Sequence, residues 1–285
     1  MQADRLQLQR LEFKYIITED VALAIRDFVS SYLELDEYGA SQRNLSYPIH
    51  SLYLDTDDLE CYWATINGLK NRFKLRLRFY ENRPNAPVYF EIKRRMNNAI
   101  LKQRGAVKRE AVRDLLNGQM PGWDVMASSE PRHLTAVQHF CELMCEKRAK
   151  PKSHVAYYRE AWLSPGTADV RVTLDREVRC EPEREATLDP EVKKPIYPFG
   201  NHVVLELKFT GRFPEWFKEL VHTFGLTQSA ASKYVDGILT GGESLFSPEY
   251  KKDVEKVNPK VLIRKNRLET ILVSLNENNK REFEK

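Results

Sequence analysis

One nine-residue stretch constrains the fold of this chain more than any other. Residues 72–80 read RFKLRLRFY, in which cations and apolar residues alternate. Successive side chains of a β-strand point to opposite faces, so the stretch predicts a strand with two very different faces. One face carries Arg72, Lys74, Arg76 and Arg78. Taken alone, this face could equally be a solvated surface.

Alternating patterns of this kind recur along the chain. They predict further strands at residues 8–17, 49–56, 87–95, 100–109, 154–163, 169–177 and 202–209. Apolar residues at helical spacing predict helices at residues 18–35, 57–66, 110–146, 214–224 and 231–239. The fold class is therefore predicted to be α+β.

Several strands with a charged face need a shared explanation. A solvent-facing sheet would normally mix both charge signs with Ser, Thr and Gln. Closing the sheet with its apolar face outward, against the helices, would place the cations inside. We therefore predict an antiparallel closed β-barrel, a tunnel, with helices covering its apolar outer face.

The length of 285 residues allows one large domain or two small ones. We predict the tunnel domain at residues 1–242 and a charged C-terminal extension at residues 243–285. An amphipathic helix in the extension would align Leu268, Ile271, Leu272 and Leu275. The N-terminal MQADRLQLQR lacks the apolar core of a signal peptide, and no apolar run approaches the roughly 18 residues of a transmembrane segment. We therefore expect a cytoplasmic protein.

Cations packed inside a sheet require a neutralising partner. Two cations at about 4 Å repel each other by several kcal/mol at intermediate dielectric, and Arg and Lys are the side chains that bind phosphate. The same strands carry Glu12, Glu91 and Glu206, and carboxylate oxygens suit Mg²⁺ or Mn²⁺ bridging to phosphates. These residues together describe a triphosphate site. An open-ended tunnel would let a linear polyphosphate slide during phosphoryl transfer.

Other chemistries lack their motifs. The sequence contains no phosphate-binding glycine loop of the nucleotide-binding types and no kinase HRD triplet. The histidines show no metal-ligand spacing, and no Ser-His-Asp or Cys-His arrangement is supported. Nucleic-acid binding is disfavoured because the cationic faces lack stacking aromatic residues.

The order of the short motifs resembles the VTC-type polyphosphate polymerase domain, a branch of the triphosphate tunnel metalloenzymes. The resemblance extends over residues 8–240. The matching segments are EFKY (12–15), SLYLDT (51–56), KLRLR (74–78), FEIKRR (90–95), KQR (102–104), YYREAW (157–162), RVTLD (171–175), VLELKF (204–209) and SKY (232–234).

The resemblance implies a β-tunnel that transfers the γ-phosphate of ATP onto a growing polyphosphate chain with Mn²⁺ or Mg²⁺. ATP and inorganic polyphosphate would be its partners. The phosphate-binding cations would be Lys14, Arg76, Arg78, Lys93, Arg159 and Arg171. The looser matches to phosphate-binding residues are Lys74, Lys102, Arg104, Lys208, Ser232 and Lys233. Glu206 matches the metal-binding glutamate. Glu12 and Glu91 would be additional metal-binding or water-positioning carboxylates, an assignment that rests on the wider superfamily and on strand parity.

Two departures from the family pattern stand out. A lysine expected before the Ser-Lys pair is replaced by Ala230, which removes one cation from the tunnel mouth. The resemblance does not extend to the regulatory domain and membrane helices that accompany fungal members, and a separate membrane protein is among the expected partners.

Three functions stay open at this point: a polyphosphate polymerase, a metal-dependent triphosphatase or tripolyphosphatase using the same tunnel, and a non-catalytic polyphosphate-binding module. Structural explanations also stay open for single residues. Arg72 and Arg94 are expected to be solvated, and Glu91 and Lys93 could belong to a cross-strand set of ion pairs. Asp175 could be a turn or capping residue, and Lys74 could lie at the rim or in the lumen. Tyr53 and Tyr157 are expected in the core.

Overall fold

The computed structural model describes residues 10–97, 99–166, 169–250 and 258–283. The strands are β1 (Arg10–Ile17), β2 (Glu34–Leu35), β3 (Tyr47–Asp55), β4 (Asn71–Phe79), β5 (Val88–Met96), β6 (Ala99–Val107), β7 (Lys150–Leu163), β8 (Val170–Pro182) and β9 (Val203–Thr210). The helices are α1 (Glu19–Val29), α2 (Glu37–Ala40), α3 (Glu60–Ile66), α4 (Val112–Leu116), α5 (Pro131–Lys147), α6 (Glu215–Thr223), α7 (Lys233–Gly241), α8 (Glu243–Phe246) and α9 (Pro259–Phe283).

The predicted helix at residues 18–35 is shorter in the structure. It ends at Val29, and the chain turns back so that Glu34 and Leu35 form β2 against β7. The helical spacing of Ile25, Phe28, Val29 and Tyr32 does not extend past the turn, because tertiary pairing with β7 takes over there.

The strands form one antiparallel sheet in the order β1-β9-β8-β7-β3-β4-β5-β6, with β2 paired to β7. In the described part of the chain, the end strands β1 and β6 form no ladder with each other. The closed barrel predicted from the sequence is therefore not confirmed. The sheet is nevertheless curved enough for Lys93 on β5 to form an ion pair of 3.0 Å with Glu12 on β1. A side-chain contact, rather than a ladder, joins these two regions.

The convex face of the sheet is apolar and carries helices, as the alternation predicts. On β4 and β5 the apolar residues pack against α4 and α5, including an edge-to-face contact of Phe90 with Phe140 at 4.9 Å. Gly105 permits this approach, because a Cβ there would lie 2.3 Å from the carbonyl oxygen of His133. Residues of β1, β8 and β9 pack in the same way against α1 and α6.

The concave face changes character along the strands. Glu12 and Lys14 on β1 are followed by Ile16 on the same face, and Glu206 on β9 is preceded by Val204. Ile16 and Val204 belong to a buried cluster that includes Tyr234, Val235 and Ile238 of α7. Helix α7 therefore covers the apolar part of the concave face and leaves the charged part to line a cavity.

Helix α9 packs on the body of the protein. Val261, Leu268, Ile271, Leu272 and Leu275 are partly buried against the cluster that contains α3 and α7. Among the described residues, no helix combines the length and the apolarity that crossing a membrane requires.

Candidate functional site

The charged part of the concave face encloses a cavity of about 270 Å³, named here the central cavity. It is lined by Glu12, Lys14, Tyr53, Lys74, Arg76, Arg78, Lys93, Ile100, Lys102, Tyr157, Arg159, Arg171, Glu206, Lys208, Ser232 and Lys233. Most of the site residues predicted from the sequence therefore meet in one place. Two predicted residues, Glu91 and Arg104, are outside this lining.

Strand register explains why these residues meet. Lys14 of β1 pairs with Glu206 of β9, and β8 places Arg171 opposite Lys208 of β9. Cross-strand partners share a face of the sheet, so residues distant in sequence become neighbours. The cavity is thus a consequence of alternation within each strand and of the pairing between strands.

Glu206 is the most heavily paired carboxylate of the central cavity. Its oxygens lie 3.0 Å from Lys14 Nζ, 3.3 Å from Arg159 Nη2 and 3.4 Å from Lys233 Nζ, and they also contact Lys208 Nζ. Burial alone would raise the pKa of Glu206, but the surrounding cations hold it well below its usual range. Glu206 is therefore ionised and neutralises part of the local positive charge.

Glu12 forms a second carboxylate position beside Glu206. Lys14 Nζ lies 3.2 Å from Glu12 Oε1 and 3.0 Å from Glu206 Oε1, so one ammonium group bridges both carboxylates. Burial raises the pKa of Glu12, but Lys14 and Lys93 outweigh it and lower the pKa. A cation already occupies the space between the two carboxylates.

Arg159 is held by a residue that sequence reasoning treated as a turn or capping residue. Its guanidinium donates two hydrogen bonds of 2.6 Å to Asp175, whose carboxylate is completely buried. Lys233 Nζ lies 2.6 Å from the same carboxylate. Asp175 shares a strand face with Arg171 and Thr173, and this parity was the available signal for its inward position.

Glu91 lies behind the cavity wall. Arg76 donates a hydrogen bond of 2.7 Å to it, and its other oxygen lies 2.8 Å from Lys102 Nζ and 3.2 Å from Arg104 Nε. The alternative of a cross-strand set of ion pairs is confirmed for Glu91, whose partners lie on the neighbouring strands β4 and β6, and Lys93 pairs with Glu12 of β1. Glu91 orients the cations in front of it, and its predicted role as a metal ligand remains a prediction.

Arg104 also lies behind the wall. Its guanidinium stacks 3.6 Å from the centre of the Tyr89 ring and donates a hydrogen bond of 3.2 Å to the hydroxyl of Tyr80. These contacts direct the side chain away from the cavity lining.

Arg78 differs from the other buried arginines. It is 7% exposed, and in the part of the chain that the structure describes it forms no ion pair with a carboxylate. Its guanidinium donates to the hydroxyls of Tyr157 at 3.0 Å and Ser51 at 3.4 Å, and its Nε has no hydrogen-bond partner there. Arg78 acts on the Glu91 carboxylate from beyond ion-pair distance and helps to lower its pKa. A buried charge without a direct ion-pair partner is costly, so this position favours an anionic ligand.

Two tyrosines expected in the core, Tyr53 and Tyr157, are buried in a core cluster as predicted, and both also line the central cavity. Tyr53 accepts a hydrogen bond of 3.2 Å from Arg76, and Tyr157 accepts one from Arg78. Lys233 Nζ also lies 4.8 Å from the centre of the Tyr157 ring. Tyr53 lies two residues from Ser51, and Tyr157 lies two residues from Arg159, so each tyrosine shares a strand face with an inward-facing residue. This parity was the sequence signal for their position at the cavity.

Lys74 lies deeper in the site than the rim position that was also considered for it. Its Nζ donates a hydrogen bond of 2.8 Å to the hydroxyl of Ser232, which precedes α7. Burial lowers the pKa of Lys74 to about 7, and repulsion from Lys93 and Lys14 contributes. The ammonium group is therefore readily deprotonated when no anion is bound.

Arg171 lies towards one side of the cavity. Its Nη2 is 3.5 Å from the hydroxyl of Tyr47 and 3.8 Å from Asp36 Oδ2. Its Nε has no hydrogen-bond partner among the described residues. This guanidinium retains donor capacity for a ligand.

The carboxylates can accept a metal only in combination with ligand oxygens. Among the described residues, no group of three or more His, Cys, Asp or Glu side chains could hold a metal ion. Glu12 and Glu206 are nevertheless close enough to share Lys14. Mg²⁺ is commonly bound by one or two carboxylates together with substrate phosphates, and this pair fits that requirement.

Comparison with known proteins supports the motif resemblance. A family model described as the VTC domain matches residues 9–240. Subunit 2 of the vacuolar transporter chaperone complex of Schizosaccharomyces pombe is 22% identical over 277 residues, covering 81% of this chain and 37% of that protein. Subunit 4 from the same organism is 26% identical over 227 residues, covering 67% of this chain and 31% of that protein. The chain thus spans about a third of the length of these relatives.

Among solved structures, a protein described as a candidate adenylate cyclase from Bacillus halodurans has a TM-score of 0.45 and 14% identity. That match covers 79% of this chain and 94% of the other. The family model, by contrast, covers most of the sequence and includes every predicted site residue. The chain belongs to the VTC domain family.

Proposed function

We propose that this protein is a metal-dependent polyphosphate polymerase, which transfers the γ-phosphate of ATP onto inorganic polyphosphate in the central cavity. The observation that carries the proposal is Arg78, a buried guanidinium with no carboxylate partner among the described residues. It faces a cavity that already contains many cations. A multiply charged phosphate chain is the type of ligand that would balance this charge.

The arrangement suits phosphoryl transfer because that reaction depends mainly on positioning and charge neutralisation. Transfer forms a bond between a terminal polyphosphate oxygen and the γ-phosphorus, and breaks the bond from that phosphorus to the β–γ bridging oxygen, releasing ADP. Arg76 and Arg78 on β4 would hold phosphate oxygens from one wall. Arg159 of β7 and Lys233 of α7 would hold further phosphate oxygens, and Asp175 and Glu206 fix the positions of these two cations.

Glu206 and Glu12 are the residues that would hold Mg²⁺ or Mn²⁺ together with phosphate oxygens. When bound, the metal would neutralise charge on the transferring phosphoryl group. Lys14 bridges both carboxylates in the structure, so it would have to release one of them and bind phosphate instead. This exchange requires only side-chain motion, because all three residues remain in place on β1 and β9.

The enclosure of the site follows from sheet curvature. The ion pair between Lys93 and Glu12 brings side chains of β5 and β1 together across the opening of the sheet. We infer that this contact completes the wall of a phosphate tunnel, in place of the continuous ladder of a closed barrel. Water exclusion by such a wall would strengthen every contact between cations and phosphate.

One experiment tests the proposal and separates it from its alternatives. Purified protein is incubated with ATP and Mn²⁺ or Mg²⁺, products are resolved on a gel stained for polyphosphate, and free phosphate is assayed in parallel. Polymerase activity predicts long chains that disappear when the metal is chelated. Free phosphate without chains would instead identify a triphosphatase, and neither product, with retained tripolyphosphate binding, would identify a binding module.

A further inference from the structure

A second cavity, of about 560 Å³, adjoins the central cavity and is named here the outer cavity. The two cavities share Glu12, Lys14, Lys74, Lys93, Ile100 and Ser232 in their linings. The two cavities are therefore adjacent, and four of the shared side chains, Glu12, Lys14, Lys74 and Lys93, are charged. An anionic chain that leaves the central cavity past these side chains would enter the outer one.

The outer cavity adds arginines that the central cavity lacks, among them Arg72, Arg95, Arg264 and Arg267. Its lining contains a single carboxylate, Glu12, which Lys14 and Lys93 already neutralise. Within the described residues, Arg72, Arg95 and Arg267 have no ion-pair partner. Their described hydrogen bonds go to the backbone carbonyl oxygens of residues 69, 97 and 228. Neutral acceptors of this kind orient the guanidinium groups without cancelling their charge.

Helix α9 contributes two of these arginines and is fixed at the cavity. Arg264 forms hydrogen bonds of 2.7 and 2.9 Å with Asp236 of α7 and one of 3.1 Å with the carbonyl oxygen of Ala230. Asp236 also accepts a hydrogen bond of 2.6 Å from the backbone N–H of Ser232, whose hydroxyl contacts Lys74. The helix is therefore connected to the lining of the central cavity through a chain of polar contacts.

The arginines also influence one another. Burial lowers the pKa of Arg72, and repulsion from Arg95 and Arg264 lowers it further. Three guanidinium groups from β4, β5 and α9 are thus close enough to interact. Asp236 compensates Arg264, whereas Arg72 and Arg95 have no carboxylate partner among the described residues. Neighbouring cations of this kind are unfavourable unless a multivalent anion neutralises them.

We propose that the outer cavity binds the phosphates of linear inorganic polyphosphate that extend beyond the central cavity, with Arg72, Arg95, Arg264 and Arg267 as ligands. The identity of the anion rests on the proposed function, whereas the positive charge and the adjacency of the two cavities are structural. Helix α9 lies outside the residues that match the VTC domain. The extension thus contributes to a subsite that binds the distal phosphates of a long chain, which a short triphosphate does not reach.

The test compares long-chain polyphosphate with tripolyphosphate in calorimetric binding to the full chain. Arg95→Glu and Arg267→Glu, singly and combined, reverse charges on exposed side chains, so folding should be retained, as checked by thermal unfolding. The matched control is Lys265→Glu, an exposed residue of α9 that lines neither cavity. We expect the combined variant to bind long polyphosphate about tenfold more weakly and tripolyphosphate within about twofold of wild type. Lys265→Glu should match wild type for both ligands.

Three results would contradict the proposed subsite. One is equal weakening of both ligands in the combined variant, which would assign the arginines to the central cavity or to general attraction. A second is that Lys265→Glu weakens the binding of long polyphosphate as much as the combined variant does. A third is that the combined variant binds long polyphosphate as tightly as wild type. If wild-type protein bound neither ligand, the proposed function itself would fail. Normal tripolyphosphate binding with no preference for long chains would reject only the subsite.

Discussion

The central and outer cavities share a wall but manage positive charge differently. In the central cavity, buried Glu206 and Asp175 pair with Lys14, Arg159 and Lys233. In the outer cavity, exposed Arg95 and Arg267 have no carboxylate partner among the described residues. Burial explains the difference, because a desolvated cation needs a counter-charge whereas an exposed one is stabilised by water.

Arg78 breaks this rule, which makes it informative. It is buried like Arg159 but lacks a carboxylate partner in the described part of the chain, like Arg267. The comparison therefore divides the cations into those with a carboxylate partner, which stabilise the fold, and those without one, which are available to bind an anionic ligand. Substitutions at Arg159, Arg78 and Lys74 test this division, in decreasing order of expected effect.

Arg159→Met should produce the largest effect, a loss of stability of about 3 kcal/mol. Removal of the guanidinium leaves the buried carboxylate of Asp175 with Lys233 as its remaining ion-pair partner. Urea unfolding measures the free energy of unfolding, and ligand binding should be lost in the same variant. The double variant Arg159→Met/Asp175→Asn should recover part of the stability but not the binding. Full stability of the single variant would show that Arg159 is not structural.

Arg78→Met should have the opposite profile. Because Arg78 forms no direct ion pair and acts on Glu91 only from beyond ion-pair distance, stability should change little, while tripolyphosphate affinity falls at least about 30-fold, or about 2 kcal/mol. Calorimetric binding and urea unfolding measure the two quantities on the same preparation. Arg113→Met, an exposed residue of α4, is the control and should change neither. Stability loss with intact affinity would place Arg78 with Arg159 instead.

Sequence alternation predicted the strands and most of the site. The nine residues from Arg72 to Tyr80 place Lys74, Arg76 and Arg78 on the cavity face and their apolar neighbours beneath helices. Parity works here because a buried apolar face fixes the register of each strand. The interpretation of Arg72 as merely solvated was incomplete, since it lines the outer cavity.

Other features depend on pairing between distant strands, which alternation does not encode. The closed barrel was inferred from the polarity of the strand faces. Closure also requires a ladder of hydrogen bonds between the edge strands β1 and β6. In the structure, β1 instead contacts the other end of the sheet through the ion pair of Glu12 with Lys93. The partners of Glu91 are likewise set by register with Arg76 and Arg104. The periodicity within a strand carries no information on which strands become neighbours.

Lys74 provides the smallest and most specific test, because it titrates near neutral pH. Burial and repulsion from Lys93 and Lys14 lower its pKa to about 7, whereas a bound phosphate would favour the ammonium form and raise it. Above pH 7, tripolyphosphate affinity should therefore fall as pH rises, with Lys74 contributing about tenfold between pH 8 and pH 9. Phosphate groups with a pKa of about 6 are ionised in that range, so the ligand charge changes little. Lys74→Arg keeps its charge and should remove this contribution, whereas Lys102 and Lys208, whose pKa values burial lowers to about 7 and about 8, should leave the rest of the dependence. An identical pH profile in wild type and Lys74→Arg would show that Lys74 binds no phosphate.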